Sequence, residues 1–148
     1  MRAVIFPGQG SQFVGMGSDF YEQHDSVKKI FKTVDETLGF SLSNIILKGP
    51  ESVLKLTQNT QPAIMAVGVS IFQVLKENYN LDLSNSKFFA GHSLGEYTAL
   101  VCSNSLTIEK AAYLLHERGK AMQKAVPSGE GAMTAVLGMS LDQVENEI

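Results

Sequence analysis

The stretch Lys87-Phe88-Phe89-Ala90-Gly91-His92-Ser93-Leu94-Gly95-Glu96-Tyr97 constrains this chain more than any other. Lys87 to Ala90 is short, aromatic and apolar, and reads as a buried strand. Tyr97 to Cys102 has the composition of a buried helix. The chain between them must reverse within a few residues. Gly91 and Gly95 lack Cβ and let strand and helix approach closely around that turn. Such an elbow lifts the Ser93 hydroxyl above a sheet, next to the positive end of the following helix. Backbone N–H groups at that place can stabilise an oxyanion, as acyl transfer requires. A Gly-x-Ser-x-Gly sequence can also be a plain glycine-rich turn. Its placement between a strand and a helix makes Ser93 a candidate nucleophile.

The 148 residues suffice for one domain with a core. The net charge of −3 and the lack of a basic block give no reason to expect nucleic acid. No apolar run is long enough to span a membrane, and Ala3 to Phe6 is too short for the core of a signal peptide. The single cysteine, Cys102, allows no internal disulfide and suits a reducing, cytoplasmic setting. It lies in an apolar run and reads as a small core residue rather than a nucleophile.

Ala3-Val4-Ile5-Phe6 reads as a buried strand followed by the polar loop Pro7-Gly8-Gln9-Gly10-Ser11-Gln12. The dinucleotide pattern fails there because Phe13 stands where the third glycine would be, and no Walker loop is present. The loop still lies beyond the carboxyl end of a strand, where ligands bind in α/β folds. Gly8 and Gly10 allow a tight turn that offers the Gln9 N–H; the plainer reading is a strand-to-helix connection. Asp25 to Leu38 is predicted as an amphipathic helix with Val27, Ile30, Phe31, Val34 and Leu38 inward. Asp25 or Ser26 is expected to cap it, and Gly39 to end it. Short helices are expected at Asn44 to Leu47 and Glu51 to Leu56. Gln61-Pro62 is expected to open the next helix, with Pro62 in its first turn. Ala63 to Leu75 is apolar nearly all round and predicts deep burial. Gln61 either lines a site or solvates the helix end. Lys76 to Ser86 reads as a polar connection.

Thr107 is predicted to cap a long helix, with Ile108, Ala112, Leu115, Gly119 and Met122 on one face. Arg118 borders that face. Periodicity alone favours a solvated or surface-paired Arg, although a border Arg can reach a cleft. His24 and His116 read as surface residues. Pro127 to Gly131 reads as a hinge and Ala132 to Leu137 as a strand. Ser140-Leu141-Asp142-Gln143 is a capping box that starts a further helix. A strand and a short helix cannot bury an apolar face alone. The chain is therefore expected to be truncated, or to need a further segment or partner. No cluster suggests a metal site.

The motifs Phe6 to Gln12, Gln58-Asn59-Thr60-Gln61-Pro62-Ala63, Gly91 to Tyr97 and Glu117-Arg118-Gly119-Lys120-Ala121-Met122 occur in that order. Together they resemble the malonyl-CoA:acyl carrier protein transacylases of bacterial fatty acid synthesis. Acyltransferase domains of polyketide synthases carry similar signatures. The resemblance implies an α/β fold: an α/β-hydrolase-like parallel sheet with helices on both faces and a nucleophile elbow. Residues 1–127 would form this core and residues 128–148 would begin an incomplete ferredoxin-like subdomain. It implies ping-pong transfer without a cofactor, malonyl-CoA being a substrate. Ser93 would take the malonyl group and acyl carrier protein would receive it on its phosphopantetheine thiol. The N–H groups of Gln9 and Leu94 would form the oxyanion hole, Arg118 would hold the malonyl carboxylate, and Gln61 and His92 would line the site. The full-length form is expected to be a monomer.

This sequence departs from the family in two respects, the expected lack of the rest of the ferredoxin-like subdomain being one. The family's general base is a His well downstream of the elbow, and none of His24, His92 and His116 matches it. Weak or no activity is expected of the isolated chain. Methylmalonyl would satisfy Arg118 as well as malonyl. Two other readings use the same residues: a serine hydrolase or thioesterase, and a non-catalytic fragment that binds CoA or carrier protein.

Overall fold

The computed structural model describes residues 2–126 and 136–146. A first strand, β1 (Ala3–Phe6), leads through helices α1 (Ser18–Gln23), α2 (Asp25–Leu38), α3 (Leu42–Lys48), α4 (Glu51–Leu54) and α5 (Thr57–Asn78) to a second strand, β2 (Phe88–Gly91). Helices α6 (Gly95–Cys102), α7 (Ile108–Ala125) and α8 (Leu141–Glu145) follow. The two strands pair in parallel, with Phe6 opposite Gly91. Parallel pairing puts the carboxyl ends of both strands, and the loops that follow them, at one end of the sheet. The architecture is α/β, as expected, and rich in helix.

Helix α5 is the centre of the packing. Its first half is buried continuously from Asn59 to Ala66. Met65, Ala63 and Ala66 join Val27, Phe31 and Val34 of α2 and Ala111, Ala112 and Leu115 of α7 in one apolar core. Helix α2 keeps the expected bounds and ends at Gly39, whose N–H donates to the Asp35 carbonyl at φ 75°. Its start differs from expectation. His24 takes the cap position, and no side chain caps the helix. Asp25 instead pairs with exposed Lys28 at 2.9 Å. The Ser140–Gln143 capping box is present in both directions, as read.

Four further expectations are corrected. Helix α5 begins at Thr57, so Pro62 lies inside the helix rather than opening it. Proline has no N–H, so the carbonyl four residues earlier, on Gln58, loses its helical donor. His116 supplies one from α7, with Nδ1 2.9 Å from the Gln58 oxygen. A carbonyl only accepts, so Nδ1 carries the proton. His116 is thus half-buried and structural, not a surface residue, and its ring also lies 5.5 Å from that of Phe40. His24 is likewise half-buried and stacks on Phe20. Helix α5 also extends to Asn78, into the stretch read as a connection.

The crossing of α5 and α7 is unusually close at the same place. A Cβ on Gly119 would collide with the Gln58 Cα and would lie 2.6 Å from its nitrogen. Only glycine fits there, and its neighbours Arg118 and Met122 are thereby held against the first turns of α5.

Among the described residues, helices cover one face of the sheet. Val4, Phe6 and Phe89 pack against α5 and α6 through Val69, Phe72, Ala99 and Cys102. Among the described residues the opposite face is bare: Ile5 is 75% exposed and Phe88 is 52% exposed. The strands are apolar at every position, so they read as buried on both sides, yet only one side is covered. Of the strand expected at Ala132 to Leu137, residues 132–135 lie outside the described residues, as do residues 127–131 of the hinge; Val136 and Leu137 are exposed and not in a strand.

The role assigned to His116 has a direct consequence. His116→Phe keeps a ring beside Phe40 and removes the donor to the Gln58 carbonyl. A stability loss of about 1–2 kcal/mol is expected in urea denaturation. An unchanged midpoint would mean that solvent satisfies that carbonyl.

Candidate active site

The site lies where the loops after β1 and β2 meet. The His92 N–H donates to the Phe6 carbonyl at 3.1 Å and extends the strand pairing by one step. The chain then turns sharply at Ser93, which has φ 55°, a left-handed conformation that a non-glycine residue rarely adopts. Helix α6 begins at once. Gly95, its first residue, packs against β1 so tightly that a Cβ would lie 2.6 Å from the Phe6 carbonyl oxygen. The glycine pair around Ser93 therefore serves a close approach, as the sequence indicated.

The loop after β1 is fastened to this elbow. A Cβ on Gly8 would meet the His92 ring. Within the loop, the Gly10 N–H donates to Gln12 Oε1 at 2.8 Å and Ser11 Oγ donates to the Gly8 carbonyl at 3.0 Å. Gln9 is exposed between them. Among the described residues, the N–H groups of Gln9 and Leu94 donate no hydrogen bond. Leu94 itself is buried, with its side chain in the main core.

Arg118 reaches the elbow from α7. Its Nη2 donates to Ser93 Oγ at 3.0 Å, and its Nη1 donates to Gln61 Oε1 at 2.6 Å. The solvated Arg favoured by periodicity is therefore not what the structure holds. Gln61 is also placed differently from expectation. It is 0% exposed and lies beneath Arg118, so it does not line an open site. Its Nε2 donates to Met122 Sδ at 3.4 Å. The sequence places Met122 on an apolar face and in the Glu117–Met122 motif without assigning it a partner. Its position one turn after Arg118 was the available signal that both belong to one cluster. His92 is exposed at the elbow, and among the described residues none of the three histidines bonds to Ser93. Cys102 is buried behind the sheet, and burial pushes its thiol up to about 12. It stays a thiol at neutral pH and is a core residue, as expected.

Among the described residues no group of His, Cys, Asp and Glu is gathered to hold a metal ion, and no helix is long and apolar enough to cross a membrane.

Backbone strain at Ser93 is measurable. Ser93→Gly and Ser93→Ala both remove the hydroxyl and its bond to Arg118, but only glycine relieves the positive φ. The glycine variant is expected to be the more stable by about 1 kcal/mol in chemical denaturation. Equal stabilities would mean that the elbow relaxes in both.

Comparison with known proteins places these features in a family. Residues 4–147 match the acyl transferase domain. A malonyl CoA-acyl carrier protein transacylase of Bacillus subtilis is 45% identical over 149 residues, covering 99% of this chain and 46% of that protein. The crystal structure of an acyl-carrier-protein-S-malonyltransferase from Bartonella henselae superposes with a TM-score of 0.89 at 45% identity, over 99% of this chain and 47% of that one. A malonyl-transacylase in complex with a type II polyketide-synthase acyl-carrier protein gives a TM-score of 0.86 at 40% identity, over 97% and 46%. The chain thus spans about half the length of these relatives. With a matching family model over nearly all of its residues, a glycine-flanked elbow serine and an arginine upon it, the chain belongs to the acyl transferase domain family.

Proposed function

We propose that this chain carries the nucleophile and the carboxylate-binding arginine of a malonyl-CoA:acyl carrier protein transacylase. One observation carries the reading: Arg118 Nη2 lies 3.0 Å from Ser93 Oγ. A guanidinium that touches the nucleophile can, after a small side-chain rotation, pair with a carboxylate a short distance beyond it. A malonyl group esterified to Ser93 presents its carboxylate at that range. A guanidinium is also the side chain best matched to a carboxylate fork. A plain serine hydrolase has no use for a cation there.

The chemistry follows from the elbow. Ser93 Oγ attacks the thioester carbonyl of malonyl-CoA and loses its proton to a base. The carbonyl oxygen becomes an oxyanion, which the N–H groups of Gln9 and Leu94 would receive. Both are free of other partners among the described residues, and Leu94 stands at the positive end of α6. The C–S bond then breaks, CoA leaves as a thiol with the returned proton, and a malonyl-serine ester remains. In the second half-reaction the phosphopantetheine thiol of acyl carrier protein attacks that ester and Ser93 regains its proton. No histidine described here reaches Ser93, and the resemblance assigns the base to a downstream His. His92 would line the entrance.

The α/β-hydrolase-like organisation of the complete sheet belongs to this reading, as does the ferredoxin-like subdomain starting at residue 128. A cytoplasmic setting agrees with the lone reduced cysteine.

The test is intact-mass spectrometry after incubation with malonyl-CoA. A malonyl adduct absent from Ser93→Ala is expected, accumulating slowly because no histidine of this chain serves as the base. Arg118→Ala is expected to lower malonylation at least about tenfold without lowering transfer of an acetyl group, because the lost contact is a charge-assisted one. Release of free malonate in place of an adduct would favour a hydrolase, and an adduct that persists in Ser93→Ala would remove the serine from the chemistry.

A further inference from the structure

Gln61 sits at the centre of a continuous polar chain that runs from Met122 through Gln61 and Arg118 to Ser93. The direction of its amide is dictated chemically. Arginine has only donors, so the amide oxygen must face Arg118; a thioether only accepts, so the amide nitrogen must face Met122. Both ends of the amide are used, and its side chain is fully buried. Such a residue does not touch substrate. It can act only through the groups it holds.

We infer that Gln61 is the positioning residue for Arg118, and that together they form a latch on Ser93 that a carboxylate opens. This rests on the malonyl reading above. Gln61 grips one terminal nitrogen of the guanidinium at 2.6 Å and leaves the other on Ser93 Oγ at 3.0 Å. Because the amide is neutral, the guanidinium keeps its full charge for an incoming anion. A malonyl carboxylate outcompetes a hydroxyl for Nη2, since a charged acceptor is the stronger partner. It draws Nη2 off the serine and frees Oγ for attack. An acyl group without a carboxylate leaves Nη2 where it is, on the nucleophile. The selectivity for a carboxylated acyl group is thus built into the nucleophile's own hydrogen bond, and Gln61 sets its geometry.

Substitutions at Gln61 separate this role from simple packing. Gln61→Glu keeps the shape but pairs with Arg118 and cancels its charge. Gln61→Met keeps the volume but releases the guanidinium. Calorimetric titration of malonyl-CoA and of acetyl-CoA into the unsubstituted chain and both variants gives a ratio of affinities for each protein. The unsubstituted chain is expected to favour malonyl-CoA at least about tenfold. Gln61→Glu is expected to abolish that preference with acetyl-CoA affinity unchanged, and Gln61→Met to narrow it. A purely structural role would weaken both ligands alike and leave the ratio intact. A ratio preserved in both variants therefore overturns the latch. No preference in the unsubstituted chain overturns the malonyl reading and the latch with it.

Discussion

The crossing of α5 over α7 is the contact on which the site depends. It exists because Gly119 presents no side chain to the backbone of Gln58, so the two helices touch main chain to main chain. The same contact repairs a defect. Pro62 strips the Gln58 carbonyl of its helical donor, and His116 from α7 replaces it. One turn further along, the crossing delivers Gln61 to Arg118 and Met122. A glycine, a proline, a histidine and a glutamine that look unrelated in sequence thus form one structural unit. Its output is a guanidinium aimed at Ser93.

The elbow is a second device built on close approach, and it stores strain where the first stores order. Helix α6 starts against the Phe6 carbonyl, which leaves Ser93 no room for an ordinary backbone conformation. A left-handed serine costs stability of about 1–3 kcal/mol and persists only where its surroundings over-determine it. Here they do: strand pairing on one side, helix α6 on the other, and the Gly8 loop pressed on His92. The result is a hydroxyl presented at the positive end of a helix beside N–H groups that donate no bond among the described residues. Stability is traded for a hydroxyl held clear of the sheet at a helix N-terminus.

The sheet is the least self-sufficient part of the molecule. Its packed face is sealed by Phe72, Ala99 and Cys102, whereas Ile5 and Phe88 project from the other face. Beyond β1, an apolar groove is lined by Phe13, Phe20, Ile64, Ile71, Leu75 and Leu83. Parallel sheets are ordinarily covered on both faces. Helix α5 shares this one-sidedness: α2 and α7 pack against it in the main core, while its Ile64, Ile71 and Leu75 line the groove.

Much of this was legible in the sequence, and for local reasons. Helix α2, the Thr107 and Ser140 caps and the elbow are governed by periodicity, capping side chains and glycine placement within a few residues, so the sequence alone determined them. The ordered motifs pointed to Ser93, Arg118 and Gln61 as candidates for one site, and the structure joins the three by hydrogen bonds. What each does with its neighbours was a matter of tertiary structure. That Gln61 is buried under Arg118 and that His116 answers for Pro62 are facts about residues about sixty positions apart, and the pairing that leaves one face of the sheet bare among the described residues joins strands still further apart. Sequence spacing carries local geometry because the backbone repeats over a few residues. It carries none of the helix-crossing geometry that brings such distant groups within a hydrogen bond of each other.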